Sequence, residues 1–158
     1  MSNIIYLKLT GERQGLISRG CGTEDSIGNK FQLNHEDEIL TIQLSEGTSR
    51  SQNMNHHPIN FVKMVDKSTP LLLVANSNNE KLNLEFSFYR TSKNGTLEKY
   101  LVAKINEAYI INRNVLFPHS INHNHLQPEE SISIIYRDIT YNHITAGTSG
   151  YSICEQNI

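Results

Sequence analysis

Apolar and polar residues alternate along most of the chain, and a two-residue period is the pattern of half-buried strands. In the first such run Ile5, Leu7 and Leu9 share one face, Tyr6, Lys8 and Thr10 the other, and Gly11 ends it. Residues 12–34 contain Gly15, Gly20, Gly22 and Gly28 among polar neighbours. They read as looped chain with short strand pieces near Leu16 and Ile17 and between Lys30 and Leu33. Alternation returns after Glu38, where Leu40, Ile42 and Leu44 are predicted to face the core and Thr41, Gln43 and Ser45 the opposite side. A further strand opposes Ile59, Phe61 and Lys63 to Asn60, Val62 and Met64. Leu82, Leu84, Phe86 and Phe88 point inward from the next. Asn94 and Gly95 then make a hairpin turn, because Asn-Gly supplies the positive φ that tight hairpins need. The return strand is predicted from Thr96 to Ile111, followed by a polar linker over residues 112–128. Ile132, Ile134 and Tyr136 mark another strand running to Tyr141, and after a turn over residues 146–150 a last one spans Tyr151 to Glu155.

Two segments depart from this period. Ser68 or Thr69 caps a helix, Pro70 fits its first turn, Leu71, Leu72, Leu73, Val74 and Ala75 form an apolar body, and residues 76–79 end it. It is apolar nearly all round, which predicts burial on more than one side. Residues 45–57 have no sustained apolar pattern and are rich in Ser, Asn and His. So long a polar excursion between strands predicts an extended loop or protruding hairpin with a use. The fold class is mainly β: an antiparallel two-sheet β-barrel with one short flanking α-helix, closed because open edges invite aggregation.

Composition supports this. The 158 residues include 18 Ile, 10 Thr and 5 Val against 4 Ala, a balance that disfavours a helix bundle. The length fits one domain, residues 1–158, with no internal repeat or linker. Net charge is −2 at pH 7, without the basic footprint that nucleic-acid binding needs. There is neither a signal-peptide pattern at the N-terminus nor an apolar run long enough to span a bilayer, so no membrane partner is expected. Cys21 and Cys154 are no disulfide framework and are read as free thiols of a protein folded in the cytoplasm.

Candidate chemistry is sparse. His119, His123 and His125 lie close in sequence, and His56 adjoins His57, but neither spacing matches a zinc motif. Glu36 or Glu38 could pair with Glu129 or Glu130 as acid and base only if the fold brings them together. The glycines around Cys21 and at residues 146–150 lack the Lys-Ser/Thr ending of a phosphate loop, and Cys21 has no base beside it. No catalytic residue, metal ligand or cofactor is assigned, and the chain is read as no enzyme. The alternative is a monomeric metal-binding or hydrolytic enzyme using the histidine loop.

Residues 5–12, 14–18 and 25–30 resemble the start of the Hcp family, the haemolysin-coregulated tube proteins of type VI secretion. The resemblance continues through residues 35–39, through Asp66, Lys67, Ser68, Thr69, Pro70, Leu71 and Leu72, and through residues 77–82 and 85–91. It ends on residues 118–122 and on Ala146, Gly147, Thr148, Ser149, Gly150, Tyr151 and Ser152. Three positions depart from the family pattern: Leu73 stands where Gly is usual, and Tyr141 and Cys154 where Trp is frequent. The resemblance implies a two-sheet barrel with a flanking helix, hexameric rings stacked into a tube, and export without a signal peptide. It also implies a VgrG-type spike protein, sheath proteins and secreted effectors carried in the ring lumen as partners.

Within that frame, the excursion over residues 45–57 is the expected ring-stacking loop, with Arg50, Asn53, Asn55, His56 and His57 supplying hydrogen bonds. Thr41, Gln43 and Ser45 are expected to face the lumen. The match reaches Glu155, so a toxin domain fused behind the tube subunit is not expected.

Overall fold

The structure is a computed structural model and describes residues 3–154. Strand β1 (Ile4–Gly11) pairs antiparallel with β3 (Ile39–Ser45) on one side and β7 (Leu82–Thr91) on the other. Following the hydrogen bonds from β7 leads to β8 (Leu97–Leu116), and from β3 to β6 (Ile59–Met64) and then β9 (Glu129–Ile135). Because β9 also pairs with β8, the sheet closes on itself. Strands β10 (Asp138–His143) and β11 (Thr148–Ile153) extend it from the first half of β8, and β2 (Gly15–Leu16) adds a stub to β1. The inward positions of these strands, among them Leu7, Leu9, Phe61, Phe86, Ile105, Ile132 and Ile134, form one buried core.

The return strand runs 20 residues, through Leu116 rather than to Ile111. Residues 112–116, read as linker, pair with Ser133 to Glu129. Three polar residues followed by Val115 and Leu116 give no strand period, but a partner farther along the chain supplies the ladder. Glu107 sits at φ 51 where β8 leaves one neighbour for the other, its N–H donating to Asn83 Oδ1 at 3.0 Å. The strand predicted from Ile132 to Tyr141 breaks at Tyr136 and Arg137 into β9 and β10. No strand forms between Lys30 and Leu33, where a single 3-10 turn (Gly28–Lys30) follows the short helix α1 (Glu24–Ile27).

In β3 the register shifts between Thr41 and Gln43, a bulge that swaps faces. Ile39 and Thr41 are therefore buried, whereas Ile42, predicted for the core, is 49% exposed. Thr41 is 4% exposed and its hydroxyl faces the Ile39 carbonyl, so it cannot line a lumen. Gln43 and Ser45 are exposed.

Helix α2 (Thr69–Ser77) starts after Ser68 with Pro70 in its first turn, as predicted, but the Ser68 hydroxyl makes no cap bond to the helix and donates to Asp66 Oδ1 instead. It buries Leu72 and Ala75, spaced to share one face, but leaves Leu73 and Val74 exposed, so it is covered on one side and not all round. Its start is held by buried charge. Lys63 lies on the inward face of β6 with Ile59 and Phe61 and is fully buried. Its Nζ stands 2.7 Å from Glu130 Oε1 and 2.9 Å from Asp66 Oδ1. Thr69 Oγ1 donates to Glu130 Oε1 at 3.0 Å, and Arg113 Nε meets Glu130 Oε2 at 2.7 Å. The Ser68 N–H donates to the same Asp66 oxygen at 2.9 Å. Four charged side chains from β6, the turn before α2, β8 and β9 thus neutralise one another where water cannot, although Asp66 Oδ2 is buried without a hydrogen-bond partner.

Candidate assembly surface

The polar excursion folds as a hairpin of β4 (Thr48–Ser51) and β5 (Asn53–His56), joined through Gln52 at φ 74. These two strands pair only with each other, as a sheet separate from the barrel. With no apolar period it cannot bury a face, so it projects; Arg50, Asn53 and Asn55 are all exposed. Arg50 faces Met54 across the ladder, Asn53 faces Ser51 and Asn55 faces Ser49. Arg50 is the single charged residue among residues 48–55, so the tip offers hydrogen bonds without a strong field.

The two histidines divide in role. The exposed ring of His57 meets Ser49 Oγ at 3.0 Å within the hairpin, and the His57 N–H donates to the Gly47 carbonyl at 3.0 Å. His56 is half-buried at the root, its Nε2 2.7 Å from Ser152 Oγ on β11 and its ring edge-on to Tyr136 at 5.8 Å. It is a tether, not a free donor at the tip. A second tether joins Tyr141 of β10, whose hydroxyl donates to Glu46 Oε1 at 2.9 Å. Burial, and then the Glu46 carboxylate, push the Tyr141 hydroxyl well above the usual tyrosine range, keeping it a protonated donor. Burial chiefly, with help from Glu46, pushes Tyr136 up to about 12. The His56–Ser152 and Glu46–Tyr141 contacts were invisible to sequence patterning because each joins residues almost a hundred positions apart.

The other candidates are not brought together. His119 Nδ1 accepts the Ile121 and Asn122 N–H groups at 3.2 and 3.1 Å, capping its own turn. The rings of His123 and His125 stand 6.1 Å apart on the exposed loop. Among the described residues no group of three or more His, Cys, Asp or Glu could hold a metal ion. Glu38 pairs with His35 at 2.9 Å, Glu36 accepts the Asn34 N–H and Asp37 the Gly20 N–H. The acidic run thus fastens loops, while Glu130 belongs to the buried cluster. Cys21 is buried, its thiol pushed up to about 12 by burial and then by the Asp66 charge. Both Cys21 and Cys154 are free.

A closed antiparallel barrel with a projecting polar hairpin can be compared with known proteins. Residues 6–143 match the family model described as type VI secretion system effector, Hcp. The chain belongs to the Hcp family. Hcp proteins are structural and secreted, and the family is not one of enzymes. The chain is 35% identical over 166 residues to the "Major exported protein" of Pseudomonas aeruginosa, covering 95% of this chain and 94% of that one. It is 43% identical over 149 residues to the uncharacterized protein YhhZ of Escherichia coli, covering 94% of this chain but only 37% of the relative. A solved structure described as "Crystal structure of Hcp protein" superposes with a TM-score of 0.91 at 31% identity, covering 96% of this chain and 98% of that one. The Hcp assignment thus rests on sequence and fold alike.

Proposed function

We propose that this Hcp chain is a single-domain structural subunit of the type VI secretion tube. Six copies close into a ring, the rings stack, and the tube is assembled in the cytoplasm and exported by type VI secretion. The carrying observation is the β4–β5 hairpin: an exposed, nearly uncharged element standing off a closed barrel and anchored at its root. Stacking contacts must form and come apart, which suits hydrogen bonds from Arg50, Asn53, Asn55 and His57 better than an apolar seal. Ring contacts are heterologous, so two different patches must complement each other. Among the described residues β11 pairs only with β10, and its outer edge, with Tyr151 63% exposed, offers backbone groups for one of them. Gln43 and Ser45 on the outer face of β3 face the lumen and the effectors carried there. The VgrG-type spike and the sheath are the remaining partners.

The test is native mass spectrometry and electron microscopy of a variant in which residues 48–55 are replaced by a short Gly-Ser turn. Rings should persist and tubes disappear; loss of the rings themselves would refute the stacking role. A monomer that carries metal in the same spectra would overturn the tube reading in favour of a metal-binding enzyme. Crosslinking of effectors at Gln43 and Ser45 checks the lumen assignment.

A further inference from the structure

The outward face of β1, β7, β8 and β10 carries cations that the fold leaves unneutralised. Lys8 lies opposite Glu85 in the ladder, Glu85 opposite Lys104, and Lys104 opposite Thr140. Direct cross-strand neighbours of opposite charge would ordinarily pair. Yet among the described residues none of Lys8, Lys99 and Lys104 makes an ion pair, and Lys99 stands instead 6.0 Å from the centre of the Tyr89 ring. Three lysines thus stand against one glutamate, on a chain whose net charge is −2.

The same face is hollowed. A cleft of about 310 Å³ is lined by Lys99, Lys104, Glu85, Val102, Thr140, Asn142 and Ile144. A second hollow of about 260 Å³ adjoins it across Glu85 and Lys104 and is bounded by Lys8. Val102 makes an apolar floor, 7% exposed, and Ile144 stands beside it 46% exposed. A merely solvated sheet face needs no apolar floor between lysines. Neighbouring strands lie about 4.8 Å apart, so Lys8 and Lys104, two strands apart, are separated by about 10 Å at the backbone. Three residues of extended peptide span that distance.

We propose that this face docks an acidic, extended segment of a protein partner, with carboxylates meeting Lys8, Lys99 and Lys104 and an apolar side chain on Val102 and Ile144. Charge complementarity fixes the sign, and the floor sets the demand for an apolar residue between the carboxylates. Nucleic acid fits less well, because three lysines around a glutamate do not track a phosphate backbone. The site involves neither the hairpin nor the buried charge cluster and does not depend on ring stacking.

The probe is a fluorescent peptide of alternating Asp and Leu, its binding to the full chain followed by anisotropy at low and high salt. Affinity should fall as salt rises. The Lys99→Glu/Lys104→Glu variant should lose at least about tenfold, and Ile144→Ser, at an exposed position, about threefold. Circular dichroism confirms that both variants are folded. A peptide of alternating Asp and Ser should bind as weakly as Ile144→Ser binds the Leu peptide. Equal affinity for the two peptides, unchanged affinity in the lysine variant, or no binding by the wild-type chain would each overturn the proposal. If the lysine variant instead dissolves the rings in native mass spectra, the occupant is a second copy, and the foreign-partner assignment fails while the tube reading stands.

Discussion

Replacing Lys63 by Met is the sharpest test of the buried charge cluster. Met matches the length of the lysine stem, so packing against Ile59 and Phe61 survives and only the ammonium is lost. Glu130 and Asp66 keep their burial, with side chains 0% and 1% exposed, but lose the cation 2.7 and 2.9 Å away. Arg113 still holds Glu130 Oε2, whereas Asp66 retains only hydrogen bonds from Ser68. Removing one partner of a buried ion pair costs about 3–5 kcal/mol, far more than loss of a surface pair. In a chain of this size each kcal/mol shifts Tm by about 2–4 °C, so Lys63→Met should lower Tm by about 6–20 °C. Thermal melts by circular dichroism, with guanidinium titration at constant m-value, read this directly. A second variant tests the cause. Adding Glu130→Gln to Lys63→Met removes one stranded carboxylate, so the double variant should be less destabilised than the two single changes summed. A fall in Tm below about 3 °C, or strict additivity of the pair, would refute the argument that the carboxylates depend on Lys63.

Gly22→Ala should destabilise severely, by several kcal/mol in a urea melt, since an added Cβ would lie 2.0 Å from the His35 backbone carbonyl, which has no flexible end to give way. His56→Ala should speed amide hydrogen exchange across residues 48–56 while moving Tm little, because it cuts the hairpin tether and, of the core, only the edge-on contact with Tyr136; unchanged exchange would show that the tether is idle. Glu80 responds to pH with a definite sign. Burial opposes its charge, but the backbone N–H groups of Gln14 and Arg13, both at 2.9 Å, together with the Gln14 side-chain amide and the Arg13 charge, hold its carboxyl below the usual range. Its contribution is therefore complete above the ordinary glutamate pKa and lost as pH falls through the lower folded value, so the stability gap to Glu80→Gln should narrow in acid. Cys21, with its thiol raised to about 12 and no exposed surface, should resist thiol reagents at neutral pH until the chain is unfolded; labelling in the native state would contradict its burial.

The strand periods were legible because each depends only on a residue's neighbours along the chain. Leu82, Leu84 and Phe86 are buried as predicted, with Phe88 partly buried beside them, Gly95 adopts φ 82 in the turn that Asn94 announces, and Ser68 and Pro70 begin α2 where expected. The hairpin was legible as an absence: a polar excursion with nothing to bury. Lys63 also left a trace, since alternation placed it in line with Ile59 and Phe61, but its partners Glu130 and Arg113 lie far along the chain.

What the sequence determined by itself is therefore the class: antiparallel strands, one short helix, and a family signature carried by local residue strings. Tertiary structure decided the faces and the contacts. A one-residue bulge buried Thr41 and turned Ile42 outward, because the ladder to β6, not the alternation, sets the register there. Pairing with β9 drew residues 112–116 into a strand that their own side chains did not demand. His56 became a tether only because β11 brings Ser152 to its ring. Local patterns fix which residues want burial, and the pairing of distant strands fixes which of them obtain it.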